Sequence, residues 1–400
     1  MKKIHYLLMC LMLITAFSTA KAQVQNQEMS ALIQENFAFA EAQYKLLAQH
    51  IPADKMPQSA DPKTGKIDSR DIQWWCSGFY PGSLWLIYEQ TKDEVIHQEA
   101  LRTLNVIEPN KTFTGNHDLG FMMLCSYGNA YRITKEQSYK DILFQSAASL
   151  STRFRPNIGV IQSWNKSKYW ECPVIIDNMM NLEMLNWVSA NGGDEKFNKI
   201  ATTHANTTLK NHFRPDYSSY HVVDYNPETG AVIRKATWQG AANTSAWARG
   251  QGWGLYGYTM MYRYTKDKRY LKQAEGIAHF ILNHPDLPAD KIPYWDFDAP
   301  FIPYAMRDAS AGALIASALL ELGQYVGKDK QSFYVDNAAQ MIRSLASDAY
   351  RSKPGENGGF LLKHSTGALP LNSEIDIPII YADYYFLEAL KRYQDWYLNK

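Results

Sequence analysis

No stretch of this sequence is apolar for long enough to cross a bilayer, which takes about 20 residues. The one sustained apolar run, from about Tyr6 to Phe17, is too short. A membrane-spanning helix is therefore not expected in the mature protein. The chain also lacks a charge bias, since 41 Lys and Arg stand against 40 Asp and Glu for a net charge of +1. No long-range field draws it to nucleic acid or to an anionic surface. Cysteine is scarce: Cys10 lies in the leading apolar run, and Cys76, Cys125 and Cys172 lie beyond it. That odd number leaves a free thiol, the spacing fits no zinc pattern, and the apolar surroundings mark all three as small buried hydrophobes. Low-complexity tracts, charged tails and Pro-rich linkers are missing, so the chain reads as one unit rather than a tethered array. Strand-like alternation is nearly absent, which argues against β-barrels and sandwiches.

What is present begins at the N-terminus. Lys2 and Lys3, the apolar run, and Ala20-Lys21-Ala22 make the three-part pattern of a secretory leader, with cleavage expected after Ala22. Residues 1–22 are thus expected to be a signal peptide, and residues 23–400 one exported, periplasmic domain. Aromatic residues are abundant, with 11 Trp, 26 Tyr and 16 Phe, many beside polar groups, as at Trp74-Trp75, Tyr169-Trp170 and Trp253. Flat apolar faces flanked by hydrogen-bonding groups suit sugar rings. An aromatic-rich core has the same composition, and composition does not choose between the two.

Apolar residues recurring at i, i+3, i+4 and i+7 predict twelve helices. They cover about 26–50, 78–92, 93–107, 118–134, 136–153, 177–191, 195–213, 246–266, 268–284, 308–325, 333–348 and 379–398. Short breaks such as Gln90-Thr91-Lys92 and Lys266-Asp267 join them into antiparallel hairpins. Every second helix is apolar almost all round and opens on an unusual motif: WWCSGFYPG, NHDLG, IIDNMMN, NTSAWARGQGWG, MRDASAG or IDIPIIYADYY. The others, such as KRYLKQAEGIAHFILN, are ordinary amphipathic helices. An all-α double ring of six hairpins follows, with every inner helix starting at one rim. Unit lengths vary and no repeated motif is visible, which favours a closed ring over a solenoid.

Asp118 in GNHDLGFMML and Asp177 in VIIDNMMNLEML share one design, an acid at the start of an inner helix ahead of Met and Leu. A lone Asp there would be read as an N-cap. Two of them at one rim point instead to a paired-carboxylate glycosidase. An unpaired carboxylate among Val174, Ile175, Ile176 and Met179 is costly, so Asp177 needs a partner, a proton or a task. His221, Gln239, Arg249 and Trp253 are candidates for holding a substrate, and each of the first three has a bland reading beside it: a surface His, a turn Gln, an Arg paired with an acid. Gly250, Gly252 and Gly254 around one helix start cost stability unless close approach is needed there. No strand precedes them, so a nucleotide loop is rejected. The planar fork of Arg249 suits a carboxylate on the substrate.

The stretches NHDLGFM, IIDNMMN, ARGQGWGLYG, DASAGAL and YADYYFLEAL, in that order, resemble the unsaturated glucuronyl hydrolases of glycoside hydrolase family 88, from about Trp74 to Tyr393. The resemblance implies an (α/α)6 barrel without metal or organic cofactor. Its implied partner is an unsaturated oligosaccharide, with no nucleic acid, no membrane after leader cleavage, and an open oligomeric state. The implied activity removes the 4,5-unsaturated uronic acid that a polysaccharide lyase leaves at the non-reducing end. By the same resemblance Asp177 is the general acid and base and Asp118 the second essential acid. His221, Gln239, Arg249 and Trp253 line the subsite for the unsaturated sugar, with Trp75 and Trp164 as aromatic walls.

The implied chemistry protonates C4 of the C4=C5 enol ether and adds water at C5, after which the hemiketal opens and expels the aglycone. Asp177 must hold its proton against the pull of a helix N-terminus. Desolvation and repulsion from an ionised Asp118 are expected to raise its pKa. Three rivals stand beside this reading: an unsaturated rhamnogalacturonyl hydrolase acting on pectin fragments, an inactive sugar-binding barrel, and an inverting glucosidase. The loop LLKHSTGALPLNSEID precedes the last inner helix and is expected to touch the next sugar, with Lys363 and His364 as candidate sulfate contacts. It carries no positive charge from Ala368 to Asn372, and chondroitin, hyaluronan, heparin and ulvan fragments all stay open.

Overall fold

Hydrophobic periodicity turns into helix close to the expected bounds in a computed structural model, which describes residues 2–399, with side chains from Val24 on. The leader expected over residues 1–22 lies outside the described side chains. The outer helices are α1 (Lys2–Ala48), α3 (Glu94–Ile107), α6 (Gln137–Ser151), α8 (Lys196–Asn211), α10 (Lys268–Leu282) and α12 (Lys328–Leu345). The inner ones are α2 (Phe79–Thr91), α4 (Leu119–Met123) continued by α5 (Asn129–Thr134), α7 (Asn178–Ala190), α9 (Ala248–Thr265), α11 (Ala309–Leu322) and α13 (Ile380–Tyr393). A π-helical turn, Leu124–Gly128, separates α4 from α5 within one inner rod.

Outer helices bury a single stripe. In α1 it is Met29, Ile33, Phe37, Ala40, Tyr44 and Leu47, spaced three and four apart as one helical face requires. Inner helices apart from α5 are buried over most of their length, and every residue of α11 is buried. Each inner helix packs on the next, and α13 returns to α2, so the ring closes as the expected (α/α)6 barrel. Cys76 and Cys172 are buried and Cys125 half-buried, all free thiols.

One expectation is corrected: the chain does carry a short repeat. YEQTKD, YRITKE and YRYTKD end α2, α5 and α9. In each, the lysine (Lys92, Lys135, Lys266) takes a left-handed conformation, with φ of 57°, 61° and 57°. Its N–H donates to the tyrosine carbonyl four residues back, at 2.9 Å in all three. The threonine hydroxyl accepts from the N–H of the following acid, at 3.4 Å for Asp93, 3.2 Å for Glu136 and 3.2 Å for Asp267. Asp93 and Asp267 then cap the outgoing helix. The repeat builds a turn from inner to outer helix, not a stackable unit, so it agrees with closure.

Short strands that the alternation test missed form hairpins between the helices. They are β1 (Met56–Ala60) with β2 (Ile67–Arg70), β3 (Phe154–Arg155) with β4 (Val160–Ile161), and β5 (Pro173–Ile175) with β6 (Val222–Tyr225) and β7 (Val232–Ala236). The last pair is β8 (Ser365–Ala368) with β9 (Ser373–Ile377). Register does the placing: Ile175 sits opposite Val222, and Val222 opposite Ala236. That aligns the chain just before Asp177 with His221 and with the approach to Gln239.

Candidate active site

Among the described residues five aspartates occupy the N-cap position of a helix, and they divide by what their carboxyls do. Asp93, Asp267 and Asp308 accept a backbone N–H from the helix they begin. Asp118 and Asp177 occupy the same position before α4 and α7 and make no such bond. Both are buried, and the Asp177 Oδ2 has no hydrogen-bond partner. These two carboxyls are therefore kept free at the rim instead of being consumed by capping.

Packing of α4 on α7 sets them side by side. The Phe121 N–H donates to Asn181 Oδ1 at 2.9 Å, so a side chain of α7 satisfies an orphan donor at the start of α4. Gly120 allows this, since a Cβ there would lie 2.6 Å from the Asn181 Cα. Burial pushes the Asp177 carboxyl up to about 7, against the opposing pull of Arg249. Burial, then the charge of Asp177, pushes Asp118 up to about 8, while Arg153 draws it down. The repulsion expected to act on Asp177 thus falls on Asp118, and the pair together holds a proton near neutral pH.

His221 is buried, and its Nδ1 accepts the N–H groups of Trp238 and Gln239, each at 3.1 Å. The ring proton therefore sits on Nε2, which lies 3.7 Å from Asp177 Oδ2. Burial drops the His221 pKa to about 3, so a neutral N–H, not an imidazolium, faces the acid. Trp247 packs against the ring with centroids 4.6 Å apart, and Trp164 stands edge-on at 6.4 Å. Gln239 donates from its amide to the Gly367 carbonyl at 3.1 Å.

Arg249 is fully enclosed. It donates to Asp308 Oδ2 at 2.7 Å, to the Thr366 carbonyl at 2.8 Å and to the Gly367 carbonyl at 2.5 Å. The rings of Trp247 and Tyr381 lie 4.6 and 5.2 Å from its guanidinium carbon. Trp253 is buried beneath the acids against Phe121 and Tyr385, at 5.1 and 5.5 Å. Its indole N–H is near enough to favour the ionised form of Asp177 without reaching hydrogen-bond geometry. Trp75 is half-buried on Phe121 and Tyr381, at 5.6 and 4.9 Å. The glycines of ARGQGWG serve helix packing, for a Cβ on Gly252 would lie 2.7 Å from Leu314 of α11.

Eight of the nine expected residues thus gather around one rim. His364 does not join them. Its Nδ1 meets Asp376 at 2.6 Å, and with Lys363 it lines an outer groove beside Pro62–Gly65 that contains neither acid. The sequence reading passed over Trp247, Tyr381, Asn181 and Glu374, and used Asp308 only as part of a motif. Glu374 reaches back over Gly367 and bonds Gln58, and burial raises its pKa. A separate cavity of about 430 Å³ opens where the inner helices end. Most of its charges pair with one another, as in Arg263–Glu183 at 2.6 Å and Arg392–Glu388 at 3.6 Å, and it holds neither Asp118 nor Asp177. Among the described residues, no group of three or more His, Cys, Asp or Glu is arranged to hold a metal ion.

The profile of Glycosyl Hydrolase Family 88 matches residues 49–398. The chain is 44% identical, over 100% of both sequences, to an unsaturated glucuronyl hydrolase of Formosa agariphila. It superposes with a TM-score of 0.88 on the crystal structure of an unsaturated glucuronyl hydrolase specific for heparin, at 48% identity over 91% of this chain and 97% of that one. A mutant of the Streptococcus agalactiae unsaturated glucuronyl hydrolase, complexed with dGlcA-GalNAc6S, matches with a TM-score of 0.78 at 28% identity, over 92% and 93% of the two chains.

Proposed function

The chain belongs to glycoside hydrolase family 88, and we propose that it removes the 4,5-unsaturated uronic acid from lyase-generated glycosaminoglycan fragments, as an unsaturated glucuronyl hydrolase. One observation carries the chemistry: two buried aspartates start adjacent inner helices, neither carboxyl is used as a cap, and Asp177 is poised near neutrality beside a neutral His221 N–H. Asp177 gives its proton to C4, water adds at C5, and the carboxylate so formed takes the proton that water sheds. The hemiketal opens, the saccharide leaves, and a 5-keto uronate remains. Asp118 is the neighbouring acid that keeps a proton in the pair. His221, Gln239, Trp75 and Trp164 form the walls of the subsite, while Arg249 and Trp253, expected there too, are buried behind it, Arg249 bonded to Asp308 instead of free for a substrate carboxylate. His364 is offered only as a contact for a more distant sugar.

Loss of ultraviolet absorbance from the C4=C5 bond, followed across a panel of lyase-generated disaccharides, tests this reading. The panel runs from heparin and chondroitin to hyaluronan, ulvan and pectin fragments. Decay on the glycosaminoglycan members is expected. Decay confined to pectin fragments, or binding without decay, would overturn it. Export belongs to the same proposal: a leader of residues 1–22 ahead of one catalytic domain over 23–400, with mature periplasmic protein starting at Gln23. Mass spectrometry of the periplasmic fraction checks that start.

A further inference from the structure

The aspartate of DASAGAL takes no part in the chemistry above, yet it is the most completely bonded acid at the rim. Asp308 is fully buried. Its Oδ1 accepts the Ser310 N–H at 3.1 Å and the Ser310 hydroxyl at 2.5 Å, and lies 3.4 Å from the Thr366 N–H. Capping needs only that oxygen. The other, Oδ2, accepts from Arg249 at 2.7 Å. One carboxylate thus ties together the starts of α9 and α11 and the strand β8.

The charge of Arg249 makes this arrangement matter. Groups facing Asp177 are Asp118, backed by His117, from the start of α4; the neutral His221 from the edge of β6; and Arg249 and Trp253 from α9. Arg249 is the permanent charge among them. A cation close to a carboxyl drives its proton off, by about 1–3 pH units at contact range. The two carbonyls that Arg249 also touches hold it in place but cannot cancel its charge. Tyr381 of α13 offers a ring, and Glu374 of β9 a carboxyl that burial leaves more readily protonated. Asp308 is the acid in direct contact.

We propose that Asp308 is a positioning residue of the active site, which fixes the Arg249 guanidinium against β8 and offsets part of its charge, so that Asp177 feels a weakened pull in place of a bare cation's. The proposal rests on Asp177 being the proton donor. It explains why an arginine can stand beside an acid that has to stay protonated.

The test is Asp308→Asn, which keeps a capping oxygen and the shape and removes the charge. The Asp177 midpoint is read from its carboxyl ¹³C signal, assigned by its loss in Asp177→Asn. It is expected to fall by about one pH unit, and the alkaline limb of kcat to move with it, KM shifting less. A lower Tm with an unmoved midpoint would reduce Asp308 to a cap and overturn the proposal. Should Asp308→Asn not fold, Arg249→Gln with Asp308→Asn leaves no buried charge unpaired. Its midpoint is expected to rise by less than the single variant's falls, and a larger rise would mean that Arg249 acts on Asp177 unmasked. The NMR readout needs no turnover, so a wild type inactive on every unsaturated disaccharide would sink the family reaction, while an unmoved midpoint would sink the pairing of Asp308 with Arg249, and the two failures are told apart.

Discussion

Asp177 keeps its proton far above the ordinary aspartate range, and two consequences follow at the scale of that one residue. Its pKa is raised in the folded state from about 3.8, so the stability this proton supplies is complete below that value and is lost as pH rises through about 7. Asp177→Asn removes the loss. Its stability relative to wild type is expected to grow between about pH 4 and 7 and then level off, by roughly 1–3 kcal/mol, checked by urea denaturation across pH. Turnover runs the other way. Asp177→Asn is expected to lower kcat by about a thousandfold, and wild-type kcat to fall above about pH 7 as the donor deprotonates. A flat rate to pH 9 would count against Asp177 as the acid. Sequence alone could name this acid, because its apolar neighbours are adjacent in the chain. It could not say that the carboxyl is free of capping duty, since Asp177 and Asp308 look alike until their side-chain oxygens are located.

At the scale of elements, the approach of α4 to α7 depends on Gly120, where a Cβ would meet the Asn181 backbone at 2.6 Å. Gly120→Ala is expected to cost about 1–3 kcal/mol by overpacking and to cut kcat more than KM, since it moves Asp118 relative to Asp177. Equal kcat in the two proteins would show that their spacing is loose. Helices were legible here because eleven to eighteen residues of periodic pattern outweigh local noise. The rim strands were not, because β5 has three residues, and a period of two cannot be told from chance over that length. The Tyr-x-x-Thr-Lys turns stood in plain sight but are polar, and a reading tuned to hydrophobic periodicity passes over them.

The whole molecule is a ring, and a ring has no dispensable end. Asp383 of α13 accepts the N–H groups of Leu361 and Leu362 at 2.9 and 3.0 Å and meets Tyr44 of α1 at 3.4 Å, so the last inner helix is bonded to the first outer one. Ending the chain before Ile380 is expected to abolish soluble folded protein, not to leave a five-hairpin remnant. Recovery of a cooperatively unfolding fragment by circular dichroism would refute that. Intact protein is expected to unfold in one transition, because the hydrophobic core runs continuously through all six inner helices.

What the sequence determined by itself was the alternation of buried and amphipathic helices, the rim where their starts collect, and the two acids there. These are local patterns, carried by residues a turn or less apart. Tertiary structure alone decided which proton-bearing atoms face each other: the tautomer of His221, set by backbone N–H groups of Trp238 and Gln239; the pairing of Arg249 with Asp308; and the absence of His364 from the site. Each depends on contacts between segments distant in the chain, and the direction of a hydrogen bond across such a gap is fixed only when the ring has closed.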